Sequence, residues 1–365
     1  MRNQNKTMNI IINKRKIGPG KPVYIIAEMS ANHNQSIDKA VKIIEAAHNS
    51  GADAVKLQTY TADTITIDCD NKYFKIKGTI WAGKNLYRLY QEAATPWEWQ
   101  PKLKKVCDKL GLDFFSTPFD PTSVDFLEKI GVPAYKIASF ELVDIPLLKK
   151  IASTGKPIIM STGMASLAEI DEAVETILNT GNKQIALLKC TSAYPAPAEE
   201  MNLSTIAHLS KTYGVPVGLS DHSLNNAAAV ASVALGGCII EKHLTLNRKE
   251  KGPDSAFSIE PSEFKSMVCD IRTVEKALGK ISYEVTKKEK ENSLFRRSLF
   301  VVKDVGKGEY FSNENIRSIR PGYGMHIRYL VEILGKKAVK DIKKGTPLSW
   351  DLVKGLSQEK RKHYK

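Results

Sequence analysis

Two histidines stand at the ends of short apolar runs about twenty residues apart, in Val217-Gly-Leu-Ser-Asp-His-Ser223 and Ile239-Ile-Glu-Lys-His243. Each run reads as a buried parallel strand with its imidazole at the tip. Neighbouring strands lie about 4.8 Å apart, so His222 and His243 on adjacent strands can grip one divalent metal ion from the same side. A single imidazole in such a place usually satisfies a local hydrogen bond. Two at matching strand ends, followed by the Gly252-Pro-Asp254 loop, favour metal ligation.

Two lysines pose a second question. Lys56 and Lys136 lie inside apolar strands, in Ala54-Val-Lys-Leu57 and Tyr135-Lys-Ile-Ala138. An ammonium buried without a partner is expensive. It is therefore paired with a strand-end Glu, or it forms a Schiff base with a carbonyl substrate, or it clamps an anionic substrate. The hydroxyls of Ser139, Ser161 and Ser220, at neighbouring strand ends, favour the clamp because they can donate to phosphate or carboxylate.

These groups need a scaffold that brings strand ends together. Strands read at Val23–Glu28, Ala54–Thr59, Asp113–Thr117, Ala134–Ser139, Pro157–Ser161, Ile185–Ser192, Val215–Ser220 and Cys238–His243. Helices lie between them and stop near glycines such as Gly111 and Gly131. Ser36 reads as one N-cap, and Thr95-Pro-Trp-Glu98 and Ser166-Leu-Ala-Glu169 as capping boxes. Eight alternations of strand and helix predict an α/β fold, a (β/α)8 TIM barrel. A doubly wound open sheet would carry a glycine-rich phosphate fingerprint after its first strand, and Met29-Ser-Ala-Asn-His33 has none. In a closed barrel the eighth strand pairs with the first. That sets Glu28 beside His243, as a third ligand or as a base acting on metal-bound water. Barrel enzymes carry their chemistry at the C-terminal strand ends. There the sequence gathers Glu28, Lys56, Gln58, Thr117, Lys136, Ser139, Glu141, Ser161, Ser192, Tyr194, Ser220, His222 and His243.

The rest of the chain sets limits. Its 365 residues suit one large domain and one small one: a barrel over 1–279, a charged linker over 280–297, and a β-rich domain over 298–365. The last contains a loose echo, Lys303-Asp-Val-Gly-Lys-Gly308 and Lys340-Asp-Ile-Lys-Lys-Gly345, and ends in a basic tail from Lys354. The net charge is +14, with basic runs in that tail and at Lys287-Lys288 that read first as solvated surface. Aromatics do not interleave with the basic runs, so attraction of anionic substrates is favoured over nucleic-acid binding. Five cysteines without a C-x-x-C spacing fit free thiols in a reducing cytoplasm. No run is long enough for a signal h-region or a membrane span.

The chain resembles the sialic acid synthase family, which condenses phosphoenolpyruvate with N-acetylated amino sugars. The matching motifs are Ile26-Ala-Glu28, Val55-Lys-Leu-Gln-Thr59, Ser116-Thr-Pro-Phe119, Tyr135-Lys-Ile-Ala-Ser139, Ser161-Thr-Gly-Met164, Gly218-Leu-Ser-Asp-His222, Glu241-Lys-His243, Gly252-Pro-Asp254 and Arg320-Pro-Gly322. The C-terminal region is similar to the family's antifreeze-like, or SAF, domain. Gln58, Phe140, the insertion motifs Ile76–Trp81 and Leu86–Tyr90, and Asp254-Ser-Ala-Phe-Ser258 point to the pseudaminic acid branch, which uses a diacetamido trideoxy sugar.

By that resemblance, Lys56, Thr117, Lys136, Ser139, Ser161, Ser192 and Ser220 hold phosphoenolpyruvate. His222 and His243 bind Mn2+, Co2+ or Mg2+, which polarises the sugar aldehyde, and Glu28 transfers the proton. Gln58, Glu141, Tyr194, Asp254 and Arg320 hold the sugar. Arg320 comes from the second chain of a homodimer, whose SAF domain caps the opposite active site. One departure is Ser192, where the neuraminate type commonly has Asn. Phe140 beside Glu141 suggests a more apolar sugar face, suited to a 6-deoxy substrate. The competing readings are neuraminic or legionaminic acid synthesis by the same chemistry, a Schiff-base aldolase, and a carbohydrate-binding module on a barrel scaffold.

Overall fold

The structure is a computed structural model that describes residues 9–355. It divides into two units, Met1–Gly279 and Lys280–Lys365. The basic tail beyond residue 355 lies outside the described residues.

The first unit is the closed eight-stranded barrel that the strand–helix alternation predicts. Its strands are β1 (Tyr24–Glu28), β2 (Ala54–Thr59), β3 (Asp113–Pro118), β4 (Tyr135–Ile137), β5 (Ile158–Ser161), β6 (Ile185–Cys190), β7 (Val217–Asp221) and β8 (Ile239–His243). All neighbours run parallel, and β8 closes on β1 with His243 opposite Glu28. Every β1, β7 and β8 residue is buried, as expected of parallel strands covered by helices. At Gly218 β7 lies close against β8, because a Cβ there would strike the carbonyl oxygen of Ile239.

Local signals decide the helix ends. Ser36 caps Ile37–Asn49, and Ser166 with Glu169 closes a capping box on Leu167–Asn179. Gly111 and Gly131 end their helices in the left-handed region. Thr95 departs from expectation. Its hydroxyl lies 3.1 Å from His33 Nε2, a 3-10 turn forms over Trp97–Trp99, and the α-helix begins only at Gln100. Two strands also stop earlier than expected. Ser139 opens a 3-10 turn, Ser139–Val143, and Ser192 lies past the end of β6. The lead before β1 is not featureless: Ile10–Ile12 and Arg15–Ile17 form an antiparallel hairpin.

The period of a strand splits its residues between two faces. On β7 and β8, Asp221 and Lys242 face each other in register. Their side chains form a buried ion pair at 2.6 Å, and Lys242 also donates to Ser223 Oγ and to the Asn225 carbonyl. The flanking residues Ser220, His222, Glu241 and His243 have the opposite parity and point the other way.

In the second unit β9 (Ser298–Val301) pairs antiparallel with β10 (Ile316–Ile319). Ala338 makes a single bridge, to Val353. The segment before β9 is more than a linker, since Lys287–Asn292 is a short helix with a Thr286–Glu289 capping box. The sequence echo proves to be a structural one. Val305 and Ile342 exchange backbone hydrogen bonds of 2.9 and 2.8 Å. Asp341 accepts from Lys307 N at 2.7 Å, and Asp304 from Lys344 N at 2.8 Å. Each Lys-Gly turn is thus held by the aspartate of the other copy, around a core of Leu299, Val301, Val305, Phe311, Ile316 and Ile342.

Lys242→Met leaves the Asp221 carboxylate buried without its counter-ion. The expected loss of unfolding free energy is about 3–5 kcal/mol, read by urea denaturation. Combining it with Asp221→Leu should recover much of that loss.

Candidate active site

The C-terminal mouth of the barrel holds a compact network of charges. Lys56 on β2 reaches Glu28 Oε2 at 2.9 Å and Glu241 Oε1, on β8, at 3.2 Å. Lys136 on β4 lies 3.8 Å from the same Glu241 oxygen, and donates to Ser161 Oγ at 2.6 Å and to the Ile137 carbonyl at 2.9 Å. Ser220 Oγ donates to Glu241 Oε1 at 3.0 Å. Neither β2 nor β4 is a neighbour of β8, so these bonds run through the barrel interior.

Burial and charge set the protonation of this network. Burial alone would lower Lys56, but the carboxylates of Glu241 and Glu28 outweigh it and leave its pKa raised. Lys136 is pulled down to about 8, chiefly by burial. Burial lifts Glu28 to about 7 in spite of Lys56. Glu241 is held below its usual range because Lys136 and Lys56 together overcome its burial. At neutral pH two ammonium groups therefore face one full carboxylate and one that is only partly ionised. The surplus is positive, and it suits an incoming anion.

Thr117 Oγ1 is buried with no hydrogen-bond partner and can donate to such an anion. His243 Nδ1 is also unpartnered, and Glu141 Oε2 and Glu241 Oε2, which can only accept, are left for donors such as hydroxyl groups. Thr59 and Ser116 face outward, where their hydroxyls meet at 2.6 Å beside Gln100. Thr117 therefore points inward. Ser139 and Ser192 converge on Gly163, whose N–H donates to Ser139 Oγ at 3.1 Å. A Cβ on Gly163 would collide with Ser192 Oγ and lie 2.7 Å from Ser139 Oγ. The glycine keeps this hydroxyl pair open.

The imidazoles of His222 and His243 have ring centroids 5.4 Å apart. His222 Nδ1 donates to the Thr191 carbonyl at 2.9 Å, which leaves the Nε2 lone pair free. Burial, with the positive charges of His222, Lys56 and Lys242 beside it, pushes His243 well down, so it is neutral. Burial would lower His222, but Cys190, the Thr191 carbonyl and Asp221 outweigh it and leave its pKa raised, so an ion taken up at Nε2 displaces a proton. With that proton gone, the two imidazoles fit a divalent ion that completes its shell with water or substrate. The expectation that Glu28 could be a third ligand is not met. Among the described residues no three His, Cys, Asp or Glu side chains are placed to hold one ion, and Glu28 is drawn instead to Lys56.

An aromatic wall stands against the imidazoles. Tyr194 stacks on His222 at 4.4 Å and on Phe257 at 4.8 Å, and Phe257 meets His243 at 4.9 Å. Asp254 is half-buried and accepts hydrogen bonds from Ser30 Oγ and Ala31 N. Gln58 Nε2 donates to Ser30 Oγ at 3.1 Å and approaches Glu28 at 3.4 Å. Glu141 is raised to about 7 by burial. Phe140 next to it is 59% exposed, the side chain expected to offer an apolar face. Arg320 belongs to the second unit, where it is exposed.

The first unit thus gathers every expected residue but Arg320 around one mouth. Sequence reasoning gave no role to Glu241, although the Glu241-Lys-His243 spacing puts it on the same face as His243. It likewise gave none to Phe257 or Cys190. The Cys190 thiol lies 4.0 Å from His222 Nδ1 and falls to about 7, burial being outweighed by that imidazole.

Comparison with known proteins agrees with this geometry. Residues 43–283 match the NeuB family and residues 296–354 match the SAF domain. The chain belongs to the NeuB family. It is 45% identical to the pseudaminic acid synthase of Helicobacter pylori over 332 residues, 91% of this chain and 98% of that protein. It is 40% identical to the N,N'-diacetyllegionaminic acid synthase of Campylobacter jejuni, over 88% of this chain and 98% of that protein. Among solved structures it is similar to N-acetylneuraminic acid synthetase from Leptospira borgpetersenii, in complex with citrate. The TM-score is 0.70 at 33% identity, covering 79% of this chain and 95% of that one.

His222→Ala should weaken Mn2+ binding at least about tenfold, measured by calorimetric titration, with an unchanged circular dichroism spectrum. Equal affinity in both proteins would remove His222 from the ligand set.

Proposed function

We propose that this chain condenses phosphoenolpyruvate with 2,4-diacetamido-2,4,6-trideoxy-L-altrose and water, giving pseudaminic acid and phosphate. The observation that carries the reading is the meeting of two buried ammonium groups and two ligand-ready imidazoles at one barrel mouth. The ammonium groups suit a small, highly charged anion; the imidazoles suit an ion that activates a carbonyl. The identity to the Helicobacter pylori enzyme supports the particular sugar.

Lys56 and Lys136 hold the carboxylate and phosphate of phosphoenolpyruvate, with hydrogen bonds from Thr117, Ser139, Ser161, Ser192 and Ser220. Such preorganised charge is usually the largest catalytic term. His222 and His243 would hold a divalent metal (imidazole and water ligation suits Mn2+ or Co2+, with Mg2+ as a substitute), which would supply Lewis-acid polarisation of the sugar's open-chain aldehyde. C3 of the enol attacks the aldehyde carbon, and positive charge develops at C2. Water adds there, and Glu28 takes its proton. A pKa of about 7 suits that exchange. Phosphate then leaves by C–O cleavage. Gln58, Glu141, Tyr194 and Asp254 position the sugar.

The working enzyme is a cytoplasmic homodimer in which the SAF domain of one chain caps the other's active site and contributes Arg320. The five free cysteines are in keeping with a reducing compartment. No helix among the described residues is long and apolar enough to cross a membrane.

Phosphate release from phosphoenolpyruvate, measured with a panel of acetamido sugars and followed by product mass, tests the reaction. The trideoxy altrose should be the preferred substrate. Preference for N-acetylmannosamine or for the legionaminic precursor would reassign the product. A borohydride-trapped pyruvate adduct without phosphate release would point to an aldolase working through Lys136, the less basic of the two lysines.

Mixed dimers test the capping. Arg320→Ala and His222→Ala proteins, each inactive alone, should recover roughly a quarter of wild-type activity on random re-association, because half the dimers are mixed and one site in each is intact. If Arg320 served its own chain, mixing would restore nothing.

A further inference from the structure

The chain between β2 and its following long helix carries an insertion, residues 60–94, that the barrel does not need. It contains two short helices, Ala62–Ile65 and Leu86–Ala93, and between them Trp81. The indole of Trp81 is fixed at the mouth. Its Nε1–H donates to the Pro253 carbonyl at 2.8 Å, next to Asp254. Its ring meets Tyr194 at 5.7 Å and Phe257 at 6.2 Å. Those two rings in turn rest on His222 and His243. One unbroken aromatic column therefore runs from the insertion to the imidazoles.

The order of that column has a chemical consequence. The imidazole end is where the sugar's aldehyde carbon must lie, so the indole is set at a remove from C1, toward the other end of an open-chain sugar. The single polar atom of Trp81 is already bonded to Pro253, and the face it has left is apolar. A hydroxyl brought against such a surface loses its water and gains no partner, whereas a methyl group gains from burial. Aromatic faces also pack well against C–H groups.

We propose that Trp81 is a specificity-determining residue, its indole selecting acetamido sugars that carry a methyl group at C6 over those that carry a hydroxymethyl group there. This rests on the phosphoenolpyruvate-condensing reading above. It assigns to the insertion a role in choosing the sugar, separate from the binding of phosphoenolpyruvate on the other strands.

The test compares wild type, Trp81→Ala and Trp81→Phe, as full chains loaded with Mn2+. Each is assayed with the 2,4-diacetamido 6-deoxy sugar and with its 6-hydroxy counterpart, and the KM for phosphoenolpyruvate is measured alongside. Trp81→Ala should lower kcat/KM for the 6-deoxy sugar about 10–100-fold, bring the ratio of the two sugars toward one, and leave the KM for phosphoenolpyruvate within about twofold. Trp81→Phe should keep most of the preference. An unchanged sugar ratio in Trp81→Ala overturns the proposal, and so does an equal loss for both sugars, which would mean that the indole only holds the loop. The wild-type measurements judge the reaction separately. Absence of phosphate release with every sugar defeats the condensing reading, while a wild-type preference for the 6-hydroxy sugar leaves the condensation standing and defeats the role given to Trp81.

Discussion

Two ammonium groups buried inside a closed barrel are the constraint on which the rest of this structure depends. Removing such charges from water costs several kcal/mol each unless they are closely paired. Glu241 is the pairing group, because it alone reaches Lys56, Lys136 and Ser220 together. Glu28 balances only part of what remains, since burial raises its pKa to about 7 in spite of Lys56. The mouth is left short of negative charge and rich in unused hydrogen-bonding atoms. An anionic substrate completes the electrostatics that folding leaves open, and the cost of holding the lysines there becomes binding energy for that substrate.

The same strands carry function on one face and structure on the other. Along β7 and β8, Ser220, His222, Glu241 and His243 turn into the barrel, while Asp221 and Lys242 turn out and pair beneath the helices. The outward pair also fastens the loop that leaves His222, through Ser223 and Asn225. The spacing of the two imidazoles is thereby set by a rigid, dry ion pair behind them. Gly218 adds to this by allowing β7 and β8 to approach more closely than any side chain would permit.

The C-terminal unit is stabilised by different means. It has little regular secondary structure, and its two-stranded ladder alone would be marginal. Reciprocal bonds between its repeated turns make up for this. Each aspartate of the echo satisfies backbone donors of the opposite turn, so two local motifs become one interlocked core.

How much was legible beforehand follows from the range of the interactions involved. The (β/α)8 order, the capping box at Ser166 and the pairing of His243 with Glu28 all follow from periodicity, caps and barrel closure. Thr95 misled because a tertiary partner, His33, took the hydroxyl that a local cap would have used. Glu28 was legible as a neighbour of His243, but its preference for Lys56 was not. By itself, then, the sequence determined which residues stand at strand ends, because side-chain parity and turn chemistry act over a few positions. Only the tertiary structure decided what those residues touch. The hub role of Glu241, the gap that Gly163 keeps between Ser139 and Ser192, and the aromatic column from Trp81 to the imidazoles each join segments far apart in the chain. Such contacts exist only once the barrel closes and burial makes every unpaired charge costly.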